Sequence, residues 1–197
     1  MVRTRVGYAG GTKKGPTYHN LGDHSETIQI DYDPSKITYQ ELLDAFWTGH
    51  DPTYRSGSRQ YASIIFVHND EQRRLAEKSR TQRAKERGRT IYTEIIPYTG
   101  FTLAENYHQK HALQQFPGFQ QDLQQIYPEP GAFVASTAVA RVNGYLGGEG
   151  SSEELLREAD GLGLSSARKE KLLRFVQQQK GEQTCPVPGK GTISTVR

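Results

Sequence analysis

Cysteine is almost absent from this sequence, which has a single copy, Cys185, among its 197 residues. One thiol excludes an intramolecular disulfide and any metal site built from several cysteines. Long apolar runs are also missing: no stretch of about 18 apolar residues occurs, so no membrane-spanning helix is predicted. The amino-terminal residues have no apolar core of the secretory kind, so we expect a cytoplasmic or other reducing compartment.

The sequence also lacks a large excess of positive or negative charge. The formal net charge of +3 is too small to demand a nucleic-acid or membrane partner. Only 34% of the residues are hydrophobic, but 11 Tyr and 7 Phe argue against disorder over most of the chain. The length suits one domain with an appendage.

Short strands and helices alternate along the first two thirds of the sequence. Alternating or continuous apolar residues predict strands over Val2–Tyr8, Thr27–Tyr32, Tyr61–His68 and Thr90–Ile96. Helical spacing predicts helices around Leu42–Trp47 and over Glu71–Glu86 and Ala104–Gln115. The strand at 61–68 is continuous enough to be central and buried. This interleaving predicts an α+β fold, a two-layer sandwich of mixed sheet and helices.

The last third has a different pattern. Ser151 and Glu154 form a capping-box motif, and the Gly161–Gly163 segment separates two amphipathic stretches. We therefore predict a carboxy-terminal helical hairpin packed on the main domain, followed by a flexible tail rich in Pro, Gly and Thr. The predicted organisation is a domain over 1–148, a helical extension over 149–180 and a tail over 181–197.

Several motifs, in a fixed order, resemble one known family. They are GYAGG and PTY within 7–18, DHSETIQIDYDPSKITYQELLDAFWTGHDPT at 23–53, RQYASIIF at 59–66 and AENYHQKH at 104–111. Several motifs in the right order and spacing are more specific than any one of them. Over roughly residues 5–119 the sequence resembles the A-type peptide methionine sulfoxide reductases.

The resemblance implies a thiol-based oxidoreductase with no bound cofactor. In that family a cysteine thiolate attacks the sulfur of methionine S-sulfoxide, a carboxylic acid protonates the oxygen, and methionine leaves. The resulting sulfenic acid is resolved by a second thiol, with thioredoxin or dithiothreitol as the external reductant. The implied partners are thioredoxin and oxidised methionine, either free or in proteins and peptides.

Three residues of this sequence match the family's site. Glu26 matches the acid, which is expected in a desolvated pocket. Tyr18 and Tyr61 match the two phenols that donate hydrogen bonds to the sulfoxide oxygen. Taken singly, each has a plainer interpretation, a solvated edge carboxylate or a half-buried packing tyrosine.

The sequence also departs from the family pattern. The family segment Gly-Cys-Phe-Trp is absent, and with it the nucleophile; we expect that the chain starts inside the domain and is inactive as it stands. Ser56 replaces an aspartate, and the loop between Tyr18 and Glu26 is shorter than usual. Cys185 is either a resolving thiol or an exposed unpaired one.

Two hypotheses follow from these departures. In the first, the chain is a reductase that begins at an internal methionine, which the coding sequence upstream of Met1 would reveal. In the second, it is a catalytically dead module that binds methionine sulfoxide or another protein.

Two further patterns have alternative interpretations. His50, His108 and His111 could form a three-histidine metal site, but the spacing is common, no carboxylates that would orient the histidines are evident, and no metal is predicted.

The run from Arg73 to Arg89 has eight Lys and Arg residues that could bind phosphates. No aromatic residues are interleaved, so we interpret the run as a solvated helix face.

Overall fold

The computed structural model describes residues 2–182, and Cys185 with the predicted tail beyond Glu182 lies outside them. Contacts divide the described residues into two units, one ending at Glu105 and the other beginning at Asn106. The mixed α+β class is confirmed, whereas the predicted boundary between 148 and 149 stays a prediction. Among residues 2–182, no helix is both long enough and apolar enough to cross a membrane.

A three-stranded antiparallel sheet organises the first unit. Its strands are β1 (Arg3–Ala9), β2 (Ser25–Asp31) and β5 (Phe101–Leu103), in the order β2-β1-β5. The register places Tyr8 opposite Glu26 on β2 and opposite Thr102 on β5. The buried side chains of β2 are polar, namely Ser25, Thr27 and Gln29, so the apolar face predicted at 28–32 is only half-buried.

The rest of the first unit is a βαβ unit with one further helix. Strand β3 (Ile64–Val67) pairs in parallel with β4 (Glu94–Pro97), and α2 (Asp70–Arg87) connects them. This parallel pairing requires a crossover connection, which the helix supplies. Asn69 caps α2 by accepting a hydrogen bond from the Gln72 N–H. Strand β3 is fully buried as predicted, but within 2–182 it pairs with β4 alone.

Helix α1 (Tyr39–Thr48) supplies five buried residues to the apolar cluster that it shares with β3 and α2. Thr38 and Glu41 form a capping box at its start. Leu43 and Trp47 are buried against β3 and α2. The Trp47 indole N–H donates to Ser79 Oγ at 3.1 Å, so the only tryptophan has a polar partner inside the core.

The second unit is helical. Its α-helices are α3 (His111–Gln114), α4 (Pro117–Ile126), α5 (Pro130–Ala135), α6 (Thr137–Leu146), α7 (Ser152–Glu158) and α8 (Ser166–Glu182). The predicted hairpin corresponds to α7 and α8, with the capping box of Ser151 and Glu154 in place. It packs on α6 through a shared apolar core that includes Val142, Leu155 and Leu172.

Three predicted elements are wrong in detail. The helix expected over 104–115 is divided into a 3₁₀ turn (Asn106–His108) and α3, because the buried Lys110 adopts a left-handed backbone conformation with φ of 53°. Pro117 begins α4, in the first-turn position where its missing N–H costs nothing. The strand predicted from Tyr61 starts at Ile64 instead, and the strand predicted over Thr90–Ile96 spans Glu94–Pro97.

Candidate sulfoxide-binding site

The loop between β1 and β2 is held closed by two motif residues. Asp23 accepts hydrogen bonds from the Thr12 N–H and hydroxyl and from the Lys13 N–H at 2.7, 2.8 and 3.1 Å. These bonds hold the pKa of the Asp23 carboxyl well below its usual range, the Lys13 bond contributing most. The neighbouring His24 accepts from the Gly11 N–H and faces the Lys13 carbonyl oxygen through Nε2 at 2.9 Å. The DH motif therefore fixes the geometry of the loop that carries Tyr18.

A glycine is required where this loop leaves β1. Gly10 has φ of +80°, and a Cβ there would lie 2.7 Å from the ring of Phe66. Both the backbone conformation and the close approach exclude a side chain. The GG motif therefore lets the end of β1 contact β3.

Glu26 lies near the start of β2 and is half-buried. The Gln60 side-chain amide donates to Glu26 Oε1 at 2.7 Å. Gln60 belongs to a 3₁₀ turn (Arg59–Tyr61) that Ser58 caps by accepting from the Gln60 N–H. The turn thus presents an amide donor and a phenol from consecutive residues.

The two predicted tyrosines meet beside this carboxylate. The Tyr61 hydroxyl is hydrogen-bonded to that of Tyr18, and this bond, followed by the negative charge of Glu26, raises the pKa of Tyr61. Tyr61 remains 52% exposed, so a ligand can reach its phenol. All three predicted site residues are therefore brought together, although Glu26 is less enclosed than a fully desolvated acid would be.

A second carboxylate supports the site, and sequence reasoning missed it. Glu105 accepts from the buried Tyr8 hydroxyl at 2.6 Å and from the Tyr18 N–H at 3.1 Å. It follows β5, so it joins the sheet to the loop that carries Tyr18. The AEN motif was available as a signal, but nothing local marks its glutamate as a partner of residues about 90 positions earlier.

The family's aspartate position is occupied differently here. Ser56 closes a small turn, because its hydroxyl donates to the Ser58 carbonyl oxygen and accepts from the Ser58 N–H. Asp51 accepts from the Thr53 N–H and hydroxyl, and these bonds hold the pKa of its carboxyl below the usual range. Asp51 is therefore engaged within the HDPT turn, and it also forms an ion pair with Arg87 at 3.7 Å.

The histidines singled out in the sequence have other surroundings. His50 Nδ1 faces the Phe46 carbonyl oxygen at 2.9 Å, and its Nε2 faces Ser63 Oγ at 2.8 Å. His108 lies in a 3₁₀ turn, and His111 is exposed at the start of α3. Within residues 2–182, no three His, Cys, Asp or Glu side chains are grouped so that they could hold a metal ion.

The basic helix α2 forms several ion pairs. Four of its arginines contact carboxylates: Arg73 with Glu77, Arg74 with Glu71, Arg83 with Asp44 and Glu86, and Arg87 with Asp51. The side chains are largely exposed, so each pair stabilises the fold only slightly.

Comparison with known proteins gives the same family as the motifs. The sequence matches the family model for peptide methionine sulfoxide reductase over residues 1–149. It is 38% identical over 184 residues to a Drosophila melanogaster peptide methionine sulfoxide reductase, covering 92% of this chain and 74% of that protein. It is 41% identical over 151 residues to peptide methionine sulfoxide reductase A5 of Oryza sativa subsp. japonica, covering 74% of this chain and 59% of that protein.

A solved structure is similar as well. The crystal structure of reduced Mxr1 from Saccharomyces cerevisiae matches with a TM-score of 0.54 and 32% identity, over 58% of this chain and 71% of that one. The family match covers far more than half of the 197 residues. The chain therefore belongs to the peptide methionine sulfoxide reductase family.

Proposed function

We propose that Glu26, Tyr18 and Tyr61 bind and protonate the oxygen of methionine S-sulfoxide in a peptide-methionine (S)-S-oxide reductase. The observation that carries the proposal is the hydrogen bond between the two phenols beside the Glu26 carboxyl. Two neighbouring phenol donors beside a carboxyl can stabilise the charge that develops on the sulfoxide oxygen. Tyr61 is half-exposed, so a ligand can reach its hydroxyl.

The chemistry requires a thiol nucleophile. The thiolate attacks the sulfoxide sulfur, and Glu26 donates a proton to the oxygen as the S–O bond breaks. The attack forms a bond between the cysteine and methionine sulfurs, and the oxygen leaves as water. Water then attacks the cysteine sulfur, the bond between the two sulfurs breaks, and methionine leaves as a thioether. The cysteine sulfur becomes a sulfenic acid and is oxidised by two electrons, which reduce the methionine sulfur. A second thiol then attacks the sulfenic sulfur and releases water, and thioredoxin or dithiothreitol reduces the disulfide.

The 197 residues contain only Cys185 and no Gly-Cys-Phe-Trp segment. We therefore expect no turnover by this chain alone, with Cys185 as a candidate resolving thiol. That single cysteine also favours a second candidate function, a catalytically dead module that binds methionine sulfoxide.

The first experiment measures turnover of N-acetyl-methionine S-sulfoxide with dithiothreitol or a thioredoxin system. The wild-type chain and its Cys185→Ser variant are both expected to be inactive. Turnover that Cys185→Ser abolishes would contradict this assignment and make Cys185 the nucleophile.

The second experiment supplies the thiol by fusing a family-like strand, Gly-Cys-Phe-Trp and helix before Val2. This fusion should reduce the S-sulfoxide stoichiometrically and leave the R-sulfoxide unchanged. Glu26→Gln in the fusion should slow reduction about 100-fold, the lower range for loss of a general acid, whereas the exposed Glu77→Gln should not. A folded fusion with a titratable thiolate that reduces nothing would favour the binding module.

A further inference from the structure

A small polar pocket lies within the second unit, where residues of α3, α4, α5 and the 3₁₀ turn Asn106–His108 line it. We call it the amide pocket and define it by Gln109, Gln114, Gln120, Gln124, Tyr127 and Phe133. Its volume is about 150 Å³, and a protein cavity of about that size holds one benzene ring. The proposed reduction chemistry uses none of these residues.

The side chains of the lining favour a neutral ligand. Of the ten residues that line the pocket, five carry a carboxamide and none carries a charge. A charged ligand would leave water without an opposite charge to compensate it, which costs free energy. Each carboxamide, in contrast, offers two N–H donors and a carbonyl acceptor. The lining therefore suits a neutral ligand that has both donors and acceptors, and it disfavours phosphates, carboxylates and ammonium groups.

Gln114 holds one wall of the pocket in place. Its side-chain nitrogen donates to the carbonyl oxygens of Asn106, Tyr107 and Gln109 at 3.2, 3.2 and 2.6 Å. These bonds engage its N–H groups, so the carbonyl oxygen is the group that Gln114 can offer to a ligand. The side chain is therefore ordered before a ligand binds, which lowers the entropic cost of binding.

Helix α4 supplies two further carboxamides. Gln120 and Gln124 are one turn apart, so both side chains lie on the same face of the helix. Each presents a donor beside an acceptor. Asn and Gln side chains use that pair to bind the edge of a nucleobase through two hydrogen bonds. The same pairing is available to any ligand in which an N–H lies beside a carbonyl oxygen.

Two aromatic side chains also line the pocket. Tyr127 and Phe133 both pack against the apolar core of the second unit. Their backbones are anchored, because the Tyr127 N–H donates to the Leu123 carbonyl oxygen and the Phe133 N–H to that of Glu129, both at 2.9 Å. Flat ring systems such as nucleobases stack on aromatic side chains. These two residues therefore favour a planar ligand.

We propose that the amide pocket binds a neutral planar ring compound with an amide edge, the chemical class that includes nicotinamide and the pyrimidine bases. The volume admits one such ring. The carboxamides match the donor and acceptor of its amide edge, and the aromatic side chains match its flat face. The proposal does not rest on the proposed function, because the pocket lies in the second unit and shares no residue with the sulfoxide-binding site.

The test is an NMR titration of the full chain with nicotinamide, whose amide lies outside the ring, and with uracil, whose amide lies inside it. We expect saturable binding of at least one compound with a Kd of about 1 mM or below, as befits so small a ligand. Nicotinate and orotate keep the two rings but carry a carboxylate. Each should bind at least about tenfold more weakly than its neutral counterpart, because the pocket has no opposite charge.

A pair of double variants locates the binding. Gln120→Met combined with Gln124→Met keeps the side-chain volume and the helical propensity but removes both carboxamides. It should weaken binding about tenfold, the loss expected when two hydrogen bonds are removed. Gln121→Met combined with Gln125→Met is the control, because it changes exposed positions of the same helix outside the pocket. The control should bind like wild type.

Saturable binding of neither neutral compound would overturn the proposal, as would equal affinities of the two double variants or of the neutral and charged ligands. N-acetyl-glutamine amide has the carboxamide without the ring and should bind more weakly. If it binds as tightly as the ring compounds, the pocket takes a polypeptide side chain and the proposal is wrong. Should the first double variant not fold, the wild-type chain decides: nuclear Overhauser effects from the ligand ring to Tyr127 or Phe133 support the pocket, and effects only to other residues contradict it.

Discussion

The Gln60 amide donates to Glu26 Oε1 at 2.7 Å across 34 positions of sequence. Gln60 is the middle residue of a 3₁₀ turn, and the next residue, Tyr61, is hydrogen-bonded to Tyr18. One short turn therefore orients the proposed acid and one of the two proposed phenols. This arrangement makes Gln60 a positioning residue for the sulfoxide-binding site.

Replacing Gln60 by alanine should weaken binding of N-acetyl-methionine S-sulfoxide by about fivefold. The reason is that Glu26 loses a fixed donor, and a hydrogen bond of this type contributes about 1 kcal/mol. Gln82→Ala is a matched control, because Gln82 donates to Glu86 at 2.8 Å on the exposed face of α2. Equal affinities of wild type and Gln60→Ala in an NMR titration would show that the turn does not orient Glu26.

Tyr18→Phe should lower the pKa of Tyr61 toward the usual value of a phenol. The hydrogen bond to Tyr18 is the main cause of the raised pKa, and the charge of Glu26 is the next. Removing the partner hydroxyl removes an interaction that favours the protonated phenol. A pH titration of ¹³Cζ-labelled tyrosine measures the shift, with Tyr54→Phe as the control. An unchanged Tyr61 titration in Tyr18→Phe would mean that the two phenols are not bonded in solution.

Local sequence signals were sufficient to predict a helix whose two ends have capping residues in the sequence. Helix α2 could be predicted nearly to its ends, because Asn69 caps its start and Gly88 adopts a left-handed conformation at its end. The prediction of one continuous helix over 104–115 was wrong because Lys110 is buried and has a left-handed backbone conformation. That conformation is uncommon for lysine, and tertiary contacts override its helical propensity.

Only the site residues that were matched to family motifs could be predicted from the sequence. Glu26, Tyr18 and Tyr61 were identified by resemblance, and apolar periodicity alone would have placed Tyr61 in a strand. Glu105 and Gln60 act through contacts that span tens of residues, which no pattern of local spacing indicates. Supporting residues of a site depend on the tertiary fold, so they become visible only in the structure.

Ser79→Ala should lower the free energy of unfolding of the first unit by about 1–3 kcal/mol. The buried Trp47 N–H donates to Ser79 Oγ at 3.1 Å, and removing the acceptor leaves that donor unsatisfied in the core. Thr81→Ala is the control on the same helix, since Thr81 is exposed and bonds only a carbonyl of its own helix; it should change stability by less than about 0.5 kcal/mol. Urea unfolding followed by Trp47 fluorescence measures both. Equal losses for the two variants would contradict the role of Ser79.

The free energy of unfolding should decrease as the pH falls from about 7 to about 5, and His50 should contribute to that decrease. Burial lowers the pKa of His50, partly opposed by the Phe46 carbonyl and by Asp51, while Arg87 lowers it further. The unfolded chain, in which the imidazole has its ordinary pKa near 6.5, then binds a proton more readily than the folded chain. The contribution of His50 to stability is thus complete above the pKa of the unfolded chain and is lost as the pH falls through the lowered pKa of the folded chain.

His50→Gln removes the titrating group, so its unfolding midpoint in urea should depend less on pH over this range, even though its stability at pH 7 is lower. His111→Gln, which removes an exposed imidazole, should keep the wild-type dependence. A steeper dependence in His50→Gln than in wild type would show that the imidazole is protonated in the folded chain, and that the hydrogen bond from Ser63 to His50 runs the other way.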